Sequence, residues 1–240
     1  MAYSDGVAIS HELFLRIEDG SKRWEKPKLD NPLCIEIEEE HRLICTSYNK
    51  VFCFDVRSGE MIWKNQIEDL FVSKVIKEDN QIILGTEKGW IYCIESTYGT
   101  IQWKIQVCHT IDCLPMIYNK CLFISGGKTD PSVSCFDMTE GTRLWTYRID
   151  SQGTSSPYVT NGKVYVGAHE RKHPWGFSYH DLYCLDANNG ELVWKYNTKS
   201  LIWSRPVVEN NNIYFSSLDK SIYRINENTL INDNFYKNRK

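Results

Sequence analysis

No stretch of this 240-residue chain approaches the ~20 consecutive apolar residues that a membrane-spanning helix needs. Two adjacent cysteines occur nowhere, nor does a Cys-x-x-Cys pair or a Gly-rich phosphate loop. Those absences remove the simplest sequence signals for redox, thiolate-zinc and nucleotide chemistry. Low-complexity tracts and linkers are missing as well, so one domain is expected over 1–240. Neither charge sign dominates: 28 Lys and Arg face 31 Asp and Glu, a net charge of −3. That balance gives no overall electrostatic case for nucleic acid. Neither a nucleic acid nor a membrane is an expected partner. The first residues lack the apolar core of a signal peptide and a lipidation site. The nine cysteines, an odd number, suit a reducing compartment better than a disulfide framework. The expected location is therefore the cytoplasm.

What the chain does have is repetition. Five tryptophans each follow a glycine by four residues: Gly20/Trp24, Gly59/Trp63, Gly99/Trp103, Gly141/Trp145 and Gly190/Trp194. Successive tryptophans are 39, 40, 42 and 49 residues apart. A motif returning at about forty residues marks a repeat architecture. Ahead of each of the last four glycines stands a short apolar run closed by an acid: Phe52-Cys53-Phe54-Asp55, Tyr92-Cys93-Ile94-Glu95, Ser134-Cys135-Phe136-Asp137 and Tyr183-Cys184-Leu185-Asp186. Leu13–Arg16 and Tyr223–Asn226 are weaker copies. Such runs fit a pleated, buried surface. The carboxylate can accept backbone N–H groups two residues on, and glycine takes positive φ at no steric cost. The segment from acid to glycine thus reads as a hairpin loop leading into the strand that carries the tryptophan. Two further strands precede each run, shown best by Pro157–Thr160 and Lys163–Gly167 around the Asn161-Gly162 turn.

Four short antiparallel strands per unit, repeated about six times, predict an all-β propeller. The units fall near 8–26, 31–65, 71–106, 113–149, 155–197 and 203–236. The reading favours five blades, with six as the alternative, and closure by pairing of the N- and C-terminal strands, Lys22–Lys26 beside Ile222–Ile225. Each motif tryptophan is expected to be mostly buried against the neighbouring repeat. The consensus resembles the pyrroloquinoline-quinone-like (PQQ-like) repeat, with Tyr183-Cys184-Leu185-Asp186, Gly190 and Trp194 as its nearest copy. The resemblance covers roughly residues 10–230 and implies the propeller fold. Quinone-binding relatives use an eight-bladed ring and an adjacent cysteine pair, and this chain lacks that pair. The outer-membrane assembly lipoprotein of the same superfamily is the nearer analogue, and it implies a scaffold without a cofactor.

The longest repeat owes its length to residues 168–181, between the second and third strands of its unit. In a four-stranded meander that connection emerges on the same face as the links between units. One sector of that face then gathers Lys128, His169, Arg171, Lys172, His173, Trp175, Phe177, Tyr179, Trp203 and Arg205. Trp, Tyr and Arg are the residues that anchor protein interfaces. The expected function is a non-catalytic protein-binding propeller, an adaptor or an inhibitor such as a toxin-neutralising immunity protein. The bland alternative is a loop folded back over the channel mouth. Two other functions fit the same sequence: an enzyme of the lyase, cyclotransferase or glycan-active kind drawing on Asp112, Asp130, His169 and Glu170, and a small-ligand sensor in the channel. His169, His173 and His180 lie near Glu170 and Asp181, but zinc needs three or four converging ligands. No metal and no cofactor are expected. Alkylation of the denatured protein without reductant should add nine groups; two or more missing additions would reveal a disulfide or a masked thiol.

Overall fold

The computed structural model describes residues 42–71, 75–108, 111, 113–126, 130–168 and 180–228 with their side chains, and elsewhere the backbone of the strands named below. Two compact units divide the chain, Met1–Gln106 and Val107–Lys240. In the first, β1 (Ala2–Ser4), β2 (Val7–Ile9), β3 (Phe14–Arg16) and β4 (Lys22–Trp24) form one antiparallel meander. A second meander contains β5 (Pro32–Glu38), β6 (Arg42–Ser47), β7 (Lys50–Asp55) and β8 (Met61–Gln66). The third contains β9 (Ile76–Glu78), β10 (Gln81–Gly85), β11 (Trp90–Glu95) and β12 (Ile101–Gln106).

In the second unit, β13 (Met116–Tyr118), β14 (Cys121–Ser125), β15 (Ser132–Asp137) and β16 (Arg143–Arg148) repeat the pattern. The fifth sheet begins with the two-residue β17 (Gly153–Thr154) and continues through β18 (Tyr158–Thr160), β19 (Lys163–His169), β20 (Arg171–Lys172), β21 (Ser178–Asp186) and β22 (Leu192–Thr198). The sixth holds β23 (Val207–Glu209), β24 (Asn212–Ser216) and β25 (Ile222–Asn226). The first strands β13, β18 and β23 lie side by side, as do β1 and β5 within the other unit. The described strands thus make six sheets. Lys22–Trp24 pairs with Phe14–Arg16, and Ile222–Asn226 with Asn212–Ser216, each inside its own sheet. Residues 229–240 lie outside the described residues, so the described strands carry neither a blade count nor a closing pair.

The apolar runs become third strands buried on both faces. Ile91, Cys93, Ile94, Cys184 and Leu185 have no exposed surface. Each run is flanked by a second strand of the same kind: Ile82, Ile83 and Leu84 in β10 are fully buried too. The fourth strands β8 and β12 are solvated except at the tryptophan. Register explains the choice of small residues ahead of the acid. Trp63, Trp103, Trp145 and Trp194 stand directly opposite Cys53, Cys93, Cys135 and Cys184. A bulge follows the cysteine in every one of these pairs. An extra residue on one strand raises the local twist, and the small thiol leaves room for the indole to turn off its own sheet. Burial also holds these thiols protonated; desolvation pushes Cys93 up to about 12 and raises Cys135 and Cys184.

The indole lands on the next sheet. A Cβ built on Gly99 would come within 2.5 Å of Trp63, and one on Gly190 within 2.5 Å of Trp145. Each ring also donates its N–H to a carbonyl in the same turn, Trp63 to Ser96 at 2.8 Å and Trp145 to Ala187 at 3.0 Å. The motif glycine therefore has two duties. It holds φ at +74° in the turn of Gly99 and +75° in that of Gly190, and it clears the landing site for the preceding tryptophan. Trp63, Trp103 and Trp194 are buried, whereas Trp145 is only half-buried. Around Trp63 the sheets share Ile44, Val51, Phe71, Ile82, Leu84 and Ile94. Fully burying each such side chain contributes roughly 1.5–3 kcal/mol.

The hairpin chemistry matches expectation. Asp55 Oδ1 accepts the N–H groups of Arg57 at 3.0 Å and Ser58 at 2.7 Å. Asp137 and Asp186 repeat this with Thr139 and Glu140, and with Asn188 and Asn189. The Ser58 N–H, above all, holds the Asp55 carboxyl below its usual range. Asn161 and Gly162, at φ +50° and +71°, form the two-residue turn between β18 and β19.

Trp63→Ala should cost about 3–5 kcal/mol in denaturant unfolding, as large-to-small core changes do. Gly99→Ala should destabilise on the same scale as strain plus overpacking, about 1–3 kcal/mol. If the double variant loses no less than the sum of the two single losses, the ring and the glycine do not share one contact.

Candidate functional site

The connection between the fourth and fifth sheets and the insertion of the fifth meet edge to edge. Gly153 pairs with His169, and Thr154 with Ala168. Ser155 N–H donates to the Gly167 carbonyl at 2.8 Å, and the Gly167 N–H returns a bond to Ser155 Oγ at 2.9 Å. Ser125 Oγ donates to the Ser155 carbonyl at 2.7 Å, and Cys113 Sγ to the Thr154 carbonyl at 3.2 Å. Backbone and hydroxyl bonds thus knit residues 153–155 to the root of the insertion.

The insertion is a hairpin. Arg171 pairs with Tyr179 and Lys172 with Ser178, so β20 and the start of β21 extend the sheet past its core. Residues 173–177, with His173, Trp175 and Phe177, lie outside the described residues. So do Lys128, Asp112 and Glu170, and of His169, Arg171, Lys172 and Tyr179 only the backbone is described. Residues 169–173 also spell His-Glu-x-x-His. On a helix that spacing puts both imidazoles on one side. Here His169 ends β19 and residues 171–172 form β20, so the helical geometry is missing. Among the described residues, no group of three His, Cys, Asp or Glu converges for a metal.

The next connection, residues 199–206, seats against the root of this hairpin. Ile202 is fully buried. A Cβ on Gly167 would meet its Cγ2 at 2.6 Å and its carbonyl oxygen at 2.7 Å. Gly167 is thus the place where two backbones approach closely, as a strand glycine often is. On the other side, Leu218 N–H donates to the Leu201 carbonyl at 2.9 Å, and Ser217 Oγ to the Ser200 carbonyl at 2.9 Å. Trp203 follows Ile202 and keeps 46% of its surface exposed. Leu218 beside this link is 58% exposed.

Arg205 serves a different purpose. It is half-buried, its guanidinium carbon sits 5.5 Å from the centre of the Tyr158 ring, and desolvation lowers its pKa. Its Nε is buried with no partner among the described residues. Such a cation holds β18 and the connection together and offers little to an incoming molecule. Asp181, adjacent to the insertion, is buried, bonded to Asn197 at 3.1 Å and paired with Lys195 at 3.3 Å. Sequence reasoning missed Leu218, Lys199 and Lys220, which sit in or beside the connections of the sixth sheet. Their signal was faint, because the Ser217–Lys220 turn is short.

Sheets of four antiparallel strands, docked by tryptophan on glycine, define a repeat whose family can be recognised. The family model described as outer membrane protein assembly factor BamB matches residues 14–127 and 130–232. The chain belongs to this PQQ-like repeat family. No curated protein sequence matches it significantly. Among solved structures it resembles BamB from Moraxella catarrhalis, with 16% identity, 93% of this chain and 83% of that one covered, and a TM-score of 0.58. The computationally designed Ika8 protein aligns over 93% of this chain and 82% of its own, at 9% identity and a TM-score of 0.60. The quinohemoprotein alcohol dehydrogenase ADHIIG from Pseudomonas putida HK5 aligns over 84% of this chain but only 41% of its own, at 15% identity and a TM-score of 0.62. Likeness at these identities establishes the β-propeller fold alone.

Gly167→Ala should push Ile202 away and loosen the 199–206 connection. Hydrogen exchange should then quicken at the Leu218 amide and stay slow at Leu182 inside the sheet. Unchanged protection at Leu218 would mean that Gly167 does not set the position of this link.

Proposed function

We propose that this propeller is a non-catalytic protein-binding platform, an adaptor or an inhibitor such as a toxin-neutralising immunity protein, that acts in the cytoplasm through the face bearing residues 168–181 and 201–205. Propellers of the BamB type commonly mediate protein interaction, and that general role supports the reading. The observation that carries it is Trp203. Its neighbour Ile202 is locked under Gly167, while Trp203 stays nearly half exposed. A rigidly mounted aromatic loses little entropy on binding, which is what an interface anchor needs. The cytoplasmic placement rests on the thiols. Eight described cysteines form no disulfide, and seven of them are buried.

Catalysis draws no comparable support from the described residues. Asp130 is half-buried, but the other acid–base candidates have no described side chain. The test is capture of the native partner by the tagged protein. Trp203→Ala should weaken that complex by about 2 kcal/mol or more with the melting temperature preserved. Equal capture by a folded Trp203→Ala protein would move the interface to another surface.

A further inference from the structure

The charge around Trp203 differs from that of the protein as a whole. Lys199, Trp203, Leu218 and Lys220 are all exposed, the Leu218 N–H ties the two segments together at the Leu201 carbonyl, and the nearby strand β20 is Arg171-Lys172 in sequence. The nearby acid, Asp219, is engaged within its own hairpin. Its carboxylate accepts the Tyr223 hydroxyl at 2.5 Å and the Ser221 N–H at 2.9 Å. The corresponding connection of the other unit has the opposite sign: it reads Ile67-Glu68-Asp69-Leu70-Phe71, and Glu87 occupies the turn bonded to it. Basic character is therefore particular to this connection and is not imposed by the repeat.

Resting on the protein-binding reading of this face, we infer that its partner presents an acidic linear peptide segment with an apolar side chain between its carboxylates. The apolar residue packs on Trp203 and Leu218. The carboxylates meet Lys199 and Lys220, whose long side chains can follow an extended segment. Complementary charge raises the association rate and rejects basic competitors more than it adds affinity. Two exposed lysines beside exposed Trp203 and Leu218 fit a peptide better than nucleic acid, which needs a cationic track for its phosphates. The protein's own net charge of −3 also disfavours a polyanion that must lie across a wide surface.

The probes are three fluorescein-labelled twelve-residue peptides of alternating polar and Leu/Phe residues. Their polar positions are Asp/Glu, Asn/Gln or Lys. In anisotropy titrations of the full chain, the acidic peptide should bind about tenfold or more tighter than the amide peptide at low salt, with the margin shrinking as salt screens it. Lys199→Glu/Lys220→Glu should erase that margin, and Trp203→Ala should weaken the acidic peptide about tenfold or more. Lys120→Glu, in the turn between β13 and β14, should change nothing. Equal binding of acidic and amide peptides, or tighter binding of the Lys peptide, of an oligothymidine or of anionic vesicles, would overturn the inference. If the native partner is lost with Trp203→Ala while no acidic peptide binds, the acidic specificity falls and the protein-binding reading stands. If the native partner ignores Trp203→Ala, the assignment of the interface to this face falls.

Discussion

An indole laid on a glycine of the following sheet is the contact on which this structure depends. A four-stranded antiparallel sheet this small cannot shield both faces by itself. Its hydrophobic third strand needs a neighbour. Trp63 on Gly99 and Trp145 on Gly190 supply that neighbour and fix its distance, because no side chain stands between ring and backbone. The N–H bonds to Ser96 and Ala187 then fix the orientation of the ring. A buried Trp needs such a partner. Trp194 marks where the pattern weakens: its Nε1 is buried with no partner among the described residues, and the following turn carries Glu227 in place of a small residue. That carboxylate is buried and is paired with Lys163 at 2.8 Å and Tyr165 at 2.9 Å. The last junction is thus held by charge and hydrogen bonds as well as by packing.

The solvated fourth strands raise a second problem, because an exposed edge invites pairing with another chain. The strands β8, β12, β16 and β22 each meet it with a cation. Lys64 lies 5.6 Å from the Phe52 ring, Lys104 5.3 Å from Trp90, Arg143 5.3 Å from Phe136 and Lys195 5.8 Å from Tyr183. These side chains cover aromatic surface with their stems and leave charge at the edge. Exposed Met61, Ile62, Leu144 and Leu192 stand nearby. Protection of the rim leaves the connections between sheets as the variable part of the design. In the second unit such a connection carries Lys199 and Trp203, and the Ser217–Lys220 turn of the sixth sheet is bonded to it.

The family match and the structural neighbours agree on the fold but not on a single activity. The fold occurs in an assembly factor, in dehydrogenases and in a designed protein. Function must then be sought in the surface that the repeat leaves free to vary. Exposed Trp203 and Leu218 lie on such a surface, beside backbone contacts at Gly167 and Leu201.

The repeat, its strands and its turn chemistry were legible in the amino-acid order, because each is a local rule. Alternation, an acid two residues ahead of its N–H partners, and a glycine at positive φ all act within a few residues. The small cysteine before each acid was legible as a buried position, though its reason was not. Only pairing shows that Cys53 stands opposite Trp63 with a bulge beside it. The sequence also set Gly59 beside Trp63, whereas the ring docks on Gly99, forty residues away from Gly59 in the next repeat. The same holds at the site. The insertion was readable from the length of its repeat, and the exposure of Trp203 was a fair guess. Its extension as a paired hairpin, the seat of Ile202 under Gly167 and the loss of Arg205 to the Tyr158 ring were not readable. Those features arise where segments far apart in the chain share one volume, and only tertiary packing decides which side chain fills it.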